Sequence, residues 1–266
     1  MSKLFFIGAG KMASAIAGGI VKAGIFPAGA LSAFDVNPQA AEAFTALTGV
    51  RSTTDPACEL AAAENVLIAV KPQYLAAALE TYKGKFAGKL VISIVAGVTL
   101  ETLGALTGTD RLVRVMPNTP VLAGKGAAAF AGGKEANESD MALVSRIFNA
   151  AGIGLEVPEK LLDAVTGLSG SGPAYVFEFI QALADGGVAE GLPRDKALLL
   201  AAQTVLGAAA MVLESGRHPA VLKDEVTSPG GTTARGLEKL AEKGFSGTVL
   251  QAVRAASARS AELGKK

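Results

Sequence analysis

A short apolar run, Leu4-Phe5-Phe6-Ile7, stops at Gly8-Ala9-Gly10-Lys11-Met12-Ala13 and passes into an Ala-rich amphipathic stretch. This G-x-G-x-x-A between a strand and a helix constrains the fold more than any other feature of the chain. It has the form of the phosphate-binding turn of a βαβ unit. Gly8 permits the tight turn, Gly10 lets the backbone approach a pyrophosphate, and Ala13 keeps the helix close to the strand. Free N–H groups at the helix start then hold the phosphates. A merely tight turn can carry the same letters, so the surrounding pattern has to decide.

That pattern is consistent over the first 160 residues. Strands at 3–7, 31–34, 65–70, 90–95 and 111–115 alternate with helical stretches such as 11–23, which ends at Gly24, and 39–47, closed by Gly49. Strands separated by helices imply a doubly wound, mostly parallel sheet with helices on both faces. Further along the chain the strand signal disappears. Helical spacing runs over 173–190, from 195 to near Gly216, over 233–243 and over 248–263. The expected architecture is α/β: a Rossmann-like dinucleotide-binding domain over 1–160 and an all-α domain over 161–266.

Composition removes several function classes. The 266 residues are 50% hydrophobic and 18% charged, which excludes a disordered chain. Lys and Arg number 25 against 24 Asp and Glu, leaving +1, so no basic field points to nucleic acid or an anionic membrane. A lone Cys58 and a lone His218 exclude a disulfide framework and a Cys- or His-rich metal centre, and no metal is expected. The longest uncharged stretch, 197–213, is interrupted by Gln203 and Thr204. It reads as a buried interface helix rather than a membrane span. Residues 1–3 lead straight into the first strand with no signal peptide, so a soluble, cytoplasmic protein is expected.

Several special loops fall at the carboxyl ends of the strands, the edge where open α/β sheets bind ligands. Asp35 ends the second strand, about 22 residues beyond the fingerprint, where a carboxylate accepts from ribose hydroxyls and disfavours a 2′-phosphate. Asn37, in the Asn37-Pro38 turn, offers an amide to such a phosphate; the competing reading of Asp35 is a charge at the start of the next helix. Ala69-Val70-Lys71-Pro72, Ala96-Gly97 and Met116-Pro117-Asn118-Thr119-Pro120 finish three later strands. In the helical half, Ser169-Gly170-Ser171-Gly172-Pro173 and Ser228-Pro229-Gly230-Gly231-Thr232-Thr233 both precede helices. The second has backbone N–H groups and hydroxyls suited to a carboxylate, although an N-cap with a proline turn would look the same.

Gly8–Ala13, Val70-Lys71-Pro72, Met116–Pro120, Ser169–Pro173 and Leu222-Lys223-Asp224 through Ser228–Thr233 occur together and in this order, and they closely resemble the motifs of pyrroline-5-carboxylate reductases over nearly the whole chain. The resemblance implies NADPH- or NADH-dependent reduction of 1-pyrroline-5-carboxylate to L-proline, the last step of proline biosynthesis. It implies a homodimer with interlocked helical domains as the unit, and a decamer as a larger assembly. Carried over by motif, Ile7, Gly8, Ala9, Gly10, Lys11, Met12, Asp35, Asn37, Ala69, Val70, Lys71, Pro72, Ala96 and Gly97 fall at the cofactor. Asn118, Ser171, Glu225, Ser228, Gly230, Gly231, Thr232 and Thr233 fall at the substrate. Thr233 matches the threonine placed at the ring nitrogen and is the catalytic candidate. Asp35 is less typical of NADP-preferring members.

Two other readings use the same fingerprint. A 3-hydroxyacid dehydrogenase would need a lysine base on a helix of the second half, for which Lys196 is the candidate. A non-enzymatic dinucleotide sensor would not need the Ser228–Thr233 loop. His218, beside Pro219, is expected to be structural.

Overall fold

Leu4 and Phe6 point into one hydrophobic core, and Phe5 and Ile7 into another. A strand sandwiched between two helical layers is apolar on both faces, and this one is buried along its whole length. The structure is a computed structural model and describes residues 3–264. In chain order it runs β1 (Leu4–Ile7), α1 (Lys11–Lys22), β2 (Leu31–Phe34), α2 (Pro38–Thr48), β3 (Arg51–Ser52), α3 (Pro56–Ala62) and β4 (Asn65–Ile68). Next come α4 (Leu75–Glu80), β5 (Leu90–Ser93), α5 (Leu100–Thr107), β6 (Leu112–Met116), β7 (Gly126–Gly132), α6 (Glu138–Asn149) and β8 (Gly152–Glu156). The strands form one sheet in the order β3-β2-β1-β4-β5-β6-β7-β8. All neighbours are parallel except β6 and β7. Helices α1, α2 and α6 cover one face, and α3, α4 and α5 the other.

The register levels the strand ends. Ile7 lies opposite both Phe34 and Ile68, Ile68 opposite Ser93, and Ser93 opposite Arg114. The loops after β1, β2, β4, β5 and β6 therefore leave the sheet at one edge. Two strands are shorter than their apolar runs: β4 stops at Ile68 and β5 at Ser93, because the backbone beyond turns into those loops. β3, β7 and β8 have no counterpart in the sequence reading. β7 is Gly-Ala-Ala-Ala-Phe-Ala-Gly, which has little strand propensity; pairing on both sides, with β6 and β8, makes it a strand.

The chain packs as two compact units, one comprising residues up to Ser171 and again from Arg254 onward, the other Gly172–Val253. This division lies later than the sequence boundary at 160, because α7 (Leu162–Val165) and the π-helical turn Thr166–Gly170 belong to the first unit. Leu162 packs there against Ala129 and Ala131 of β7.

The second unit holds α8 (Gly172–Ala189), α9 (Arg194–Ser215), α10 (Pro219–Glu225), α11 (Thr232–Glu242) and the first half of α12 (Phe245–Leu263). Its hydrophobic core is small: Ala184 of α8 meets Ala197 and Ala201 of α9. A Cβ placed on Gly187 would lie 3.3 Å from Ala197 Cβ, so small residues let these helices approach closely. The larger apolar side chains of α9 face outward; Leu199 is 65% and Leu213 77% exposed. With mean hydropathy 1.8 over its best window, α9 is long and apolar enough to cross a membrane.

A partly buried ion pair staples the first unit. Asp140, 3% exposed, takes Arg111 Nε at 2.9 Å and Nη2 at 2.7 Å and completes a capping box with Asn137 at the start of α6. The Arg111 hydrogen bonds hold the Asp140 carboxyl below its ordinary value. A carboxyl shifted downward stabilises the fold above the ordinary carboxylate range and loses that contribution as pH falls through its folded value. Asp140→Ala should therefore cost about 2 kcal/mol at neutral pH. Urea midpoints will show this, and the gap to wild type should narrow in acid.

Candidate active site

The turn after β1 is built by two close approaches. Gly8 has φ +103°, and a Cβ there would lie 2.8 Å from the carbonyl oxygen of Ala69. Gly8 N–H donates to Phe34 O at 2.8 Å, and Ala69 N–H donates to Ile7 O at 2.8 Å. The fingerprint loop is thus wedged between the ends of β2 and β4. Gly10 differs: it is exposed, and a Cβ on it would meet no described atom within 4 Å. Protein packing does not require a glycine there, whereas a close-lying pyrophosphate would.

Gly10 also starts α1, with no side-chain cap and no acid in the first turn. The first intrahelical bond is Ser14 N–H to Gly10 O, so the N–H groups of Lys11, Met12 and Ala13 precede the ladder. They and the Lys11 charge suit an anion. Ala13 is fully buried, as the close helix–strand packing requires. These residues fit a dinucleotide pyrophosphate.

Asp35 is engaged on both oxygens. Oδ2 accepts the N–H of Ala9 at 2.8 Å and Oδ1 that of Asn37 at 2.9 Å. It ties the fingerprint loop to the end of β2, while each oxygen keeps acceptor capacity for a ribose hydroxyl. The helix-start role weighed for Asp35 belongs to Asn37, whose Oδ1 caps α2 by accepting Gln39 N–H at 3.0 Å. Lys71 is exposed beside Pro72, where a 3₁₀ turn follows β4. Ala69 and Val70 are half-buried, and Ala96 and Gly97 follow β5 on the same edge.

Two motifs distant in sequence meet at the end of β6. Asn118 is buried; its Nδ2 donates to Ser169 O at 3.0 Å and its Oδ1 accepts Ala127 N–H at 2.8 Å. A Cβ on Gly170 would lie 2.5 Å from Met116 Cε. The structure thus gives Asn118 a bridging job. Ser171 N–H closes the π turn onto Thr166 O at 2.8 Å. The Gly-rich signal at 169–172 announced a helix start, but nothing in its periodicity announced this turn, a feature common at functional sites.

In the second unit, Ser228-Pro229-Gly230-Gly231 turns through a Gly231 N–H to Ser228 O bond of 3.0 Å. Gly231 is the N-cap of α11, and no side chain caps it. The proline turn and N-cap of the other reading are both present, with glycine as the cap, so neither threonine hydroxyl is used as one. The first ladder bond runs from Arg235 N–H to Gly231 O, so the N–H groups of Thr232, Thr233 and Ala234 precede it. The first turn carries no acid.

Glu225, expected at the substrate, pairs with Arg217 through both oxygens. Arg217 holds the Glu225 carboxyl below its ordinary value, and the guanidinium is raised in turn. His218 is the N-cap of α10, its Nδ1 accepting Ala220 N–H at 3.2 Å. Lys196 is exposed and lies 3.5 Å from Asp195. Among the described residues no cluster of three His, Cys, Asp or Glu could hold a metal.

Comparison with known proteins adds the following. Residues 159–263 match a family described as pyrroline-5-carboxylate reductase dimerisation, and residues 3–97 one described as NADP oxidoreductase, coenzyme F420-dependent. The pyrroline-5-carboxylate reductase of Methanosarcina acetivorans is 49% identical over 266 residues, covering 99% of this chain and 98% of its own. That of Arabidopsis thaliana is 48% identical, covering 98% and 95%. Plasmodium falciparum pyrroline carboxylate reductase, solved with NADP bound, superposes with TM-score 0.88 at 37% identity, covering 99% of this chain and 98% of its own. The Coxiella burnetii pyrroline-5-carboxylate reductase does so with TM-score 0.93 at 33%, covering 100% and 99%.

Proposed function

The chain belongs to the pyrroline-5-carboxylate reductase family, and from that premise we propose which of its residues bind the cofactor and which handle the imine. It is an oxidoreductase of proline biosynthesis that reduces the C=N bond of 1-pyrroline-5-carboxylate with NADPH or NADH, and L-proline is the product we assign. The observation that carries the residue assignment is the pair of uncapped, acid-free helix starts. One, at Gly10, opens onto empty space at the sheet edge; the other, at Gly231, carries two threonine hydroxyls.

Nicotinamide, when bound, supplies the hydride. Lys11, Met12 and Ala13 N–H groups hold the pyrophosphate, Asp35 the adenosine ribose, and the loops at 69–72 and 96–97 the remainder. Thr232, Thr233 and Ala234 N–H groups hold the substrate carboxylate. The Thr233 hydroxyl donates to the lone pair of the neutral ring nitrogen and relays a proton to it from water, which makes the C=N bond electrophilic. Ser228, Gly230 and Gly231 shape that turn; Asn118 fixes the backbone of Ser169 and Ala127, Ser171 closes the π turn, and Glu225 is held by Arg217. Holding the reactants in fixed orientation lowers the barrier by about 7 kcal/mol or more at best.

A homodimer through the helical unit is the assembly, supported by the dimerisation match and by the exposed leucines of α9. The same match accounts for the apolarity of α9 without a membrane, and a cytoplasmic, soluble enzyme without nucleic-acid partners is the reading we adopt. The decamer rests on the family resemblance alone.

Asp35 bears on cofactor choice. Its carboxylate disfavours a 2′-phosphate by like charge, and it also anchors Ala9. Asp35→Ser should raise the KM for NADH about tenfold through the lost anchor and ribose contact. The KM for NADPH should rise less, so the ratio shifts toward NADPH. An unchanged ratio in initial-rate assays would show that the carboxylate does not meet the 2′ position.

The assignment is tested by initial rates of NADPH oxidation with 1-pyrroline-5-carboxylate, beside NAD⁺ reduction with 3-hydroxy acids. Turnover of the imine alone is expected. Turnover of a hydroxy acid, or of neither, would overturn it.

A further inference from the structure

We propose that the buried Arg114 and Ser260 and the half-buried Glu159 and Asp163 form a brace that holds the loop after β5 in its cofactor-binding shape. The proposal rests on Ala96 and Gly97 being cofactor contacts. Arg114 projects from β6 with its side chain 8% exposed. A buried guanidinium has to be paired. Its Nη1 donates to Glu159 Oε1 at 3.1 Å, and its Nη2 lies 4.0 Å from Asp163 Oδ1.

Each carboxylate reaches on to a different element. Glu159 Oε1 also accepts the N–H of Leu100 at 2.7 Å, the first residue of α5, where the loop that begins after β5 ends. Asp163 Oδ1 accepts Ser260 Oγ at 2.6 Å. Ser260 is 4% exposed and sits in the last turns of α12. Three residues on, Leu263 lies against the loop: a Cβ on Gly97 would be 3.4 Å from Leu263 Cβ. A Cβ on Gly264 would be 3.3 Å from Gly97 O. The loop is thus gripped at its far end through Glu159 and at Gly97 through Ser260, with one guanidinium behind both.

Apolar packing could fill such a space at no loss of stability, and often with a gain. What the charges add is direction: hydrogen bonds fix where Leu100 N–H and the end of α12 lie. A loop held in shape before binding spares the cofactor the ordering cost. These are positioning residues, and none of them needs to touch the nucleotide.

The test is NADPH affinity by fluorescence titration of the full chain in Gly97→Ala, Ser260→Ala, Asp163→Ala and the Ser260→Ala/Asp163→Ala double variant. Melting temperature and initial rates with 1-pyrroline-5-carboxylate accompany it. Ser260→Ala should weaken NADPH binding about tenfold, while kcat at saturating NADPH and the KM for the imine stay near wild type. The double variant should bind no worse than the weaker single, since one contact cannot be lost twice. A fall in melting temperature with NADPH affinity unchanged would overturn the brace, as would fully additive effects. Weakened binding in Gly97→Ala but not in Ser260→Ala overturns the brace alone. Unchanged binding in Gly97→Ala overturns the reading of that loop as a cofactor site, and the brace with it.

Discussion

Thr233→Val should lower kcat for 1-pyrroline-5-carboxylate about 100-fold, the lower end of what general-acid assistance contributes, while leaving NADPH affinity unchanged. Thr233 is the second residue of α11, and its hydroxyl does not cap the helix. Valine keeps the β-branched shape and the backbone N–H, so the carboxylate-holding N–H groups remain and the KM for the imine should move little. What disappears is the hydroxyl that we propose donates to the ring nitrogen. The loss should be smallest in acid, where the imine arrives already protonated, and should widen as pH rises. A kcat near wild type at all pH values would reduce Thr233 to a shape-filling residue. Lost nucleotide binding would assign it to the other ligand.

Gly8→Ala should abolish most cofactor binding, by about 100-fold or more, and destabilise the first unit as well. At φ +103° an L-residue is strained, and its Cβ would press on the Ala69 carbonyl at 2.8 Å. The atoms the Cβ meets are backbone and cannot swing aside, so the turn after β1 must move away from β4. Strain and overpacking each cost about 1–3 kcal/mol, and 1.4 kcal/mol is about tenfold in affinity. Gly10→Ala is the informative companion. Gly10 has φ −73°, which alanine adopts, and its Cβ would enter open space. Melting temperature should hold while NADPH affinity falls, because the methyl occupies the place of a phosphate. Unimpaired NADPH binding by Gly10→Ala would remove the fingerprint from the cofactor site.

Much of this was legible in the sequence because local chemistry and tertiary role agree. Gly8 and Ala13 each answer to one spatial demand of the packing, and β4 and β5 are largely apolar because helices cover both faces. β7 was not legible: its alanines carry no strand preference, and only pairing with β6 and β8, remote from any local rule, defines it. The site divides in the same way. Asp35 ends β2, and hydrogen bonds from Ala9 and Asn37 decide what its side chain does; Thr232 and Thr233 open α11. Asn118 and Glu225 look like ligand contacts in the sequence; the structure commits the first to Ser169 and Ala127 and the second to Arg217. The Arg114 brace joins residues from β6, the segment around 159–163 and the last helix, and no spacing links those positions.

The central claim is that hydride passes from the nicotinamide bound at the Gly8–Gly10 edge to the carbon of the C=N bond. Turnover of 1-pyrroline-5-carboxylate with NADPH deuterated on the transferable C4 position, followed by mass spectrometry of the product, measures that transfer. The account predicts proline carrying one deuterium, with one cofactor oxidised for each proline formed. Proline without the label, or cofactor oxidised without proline, would contradict it.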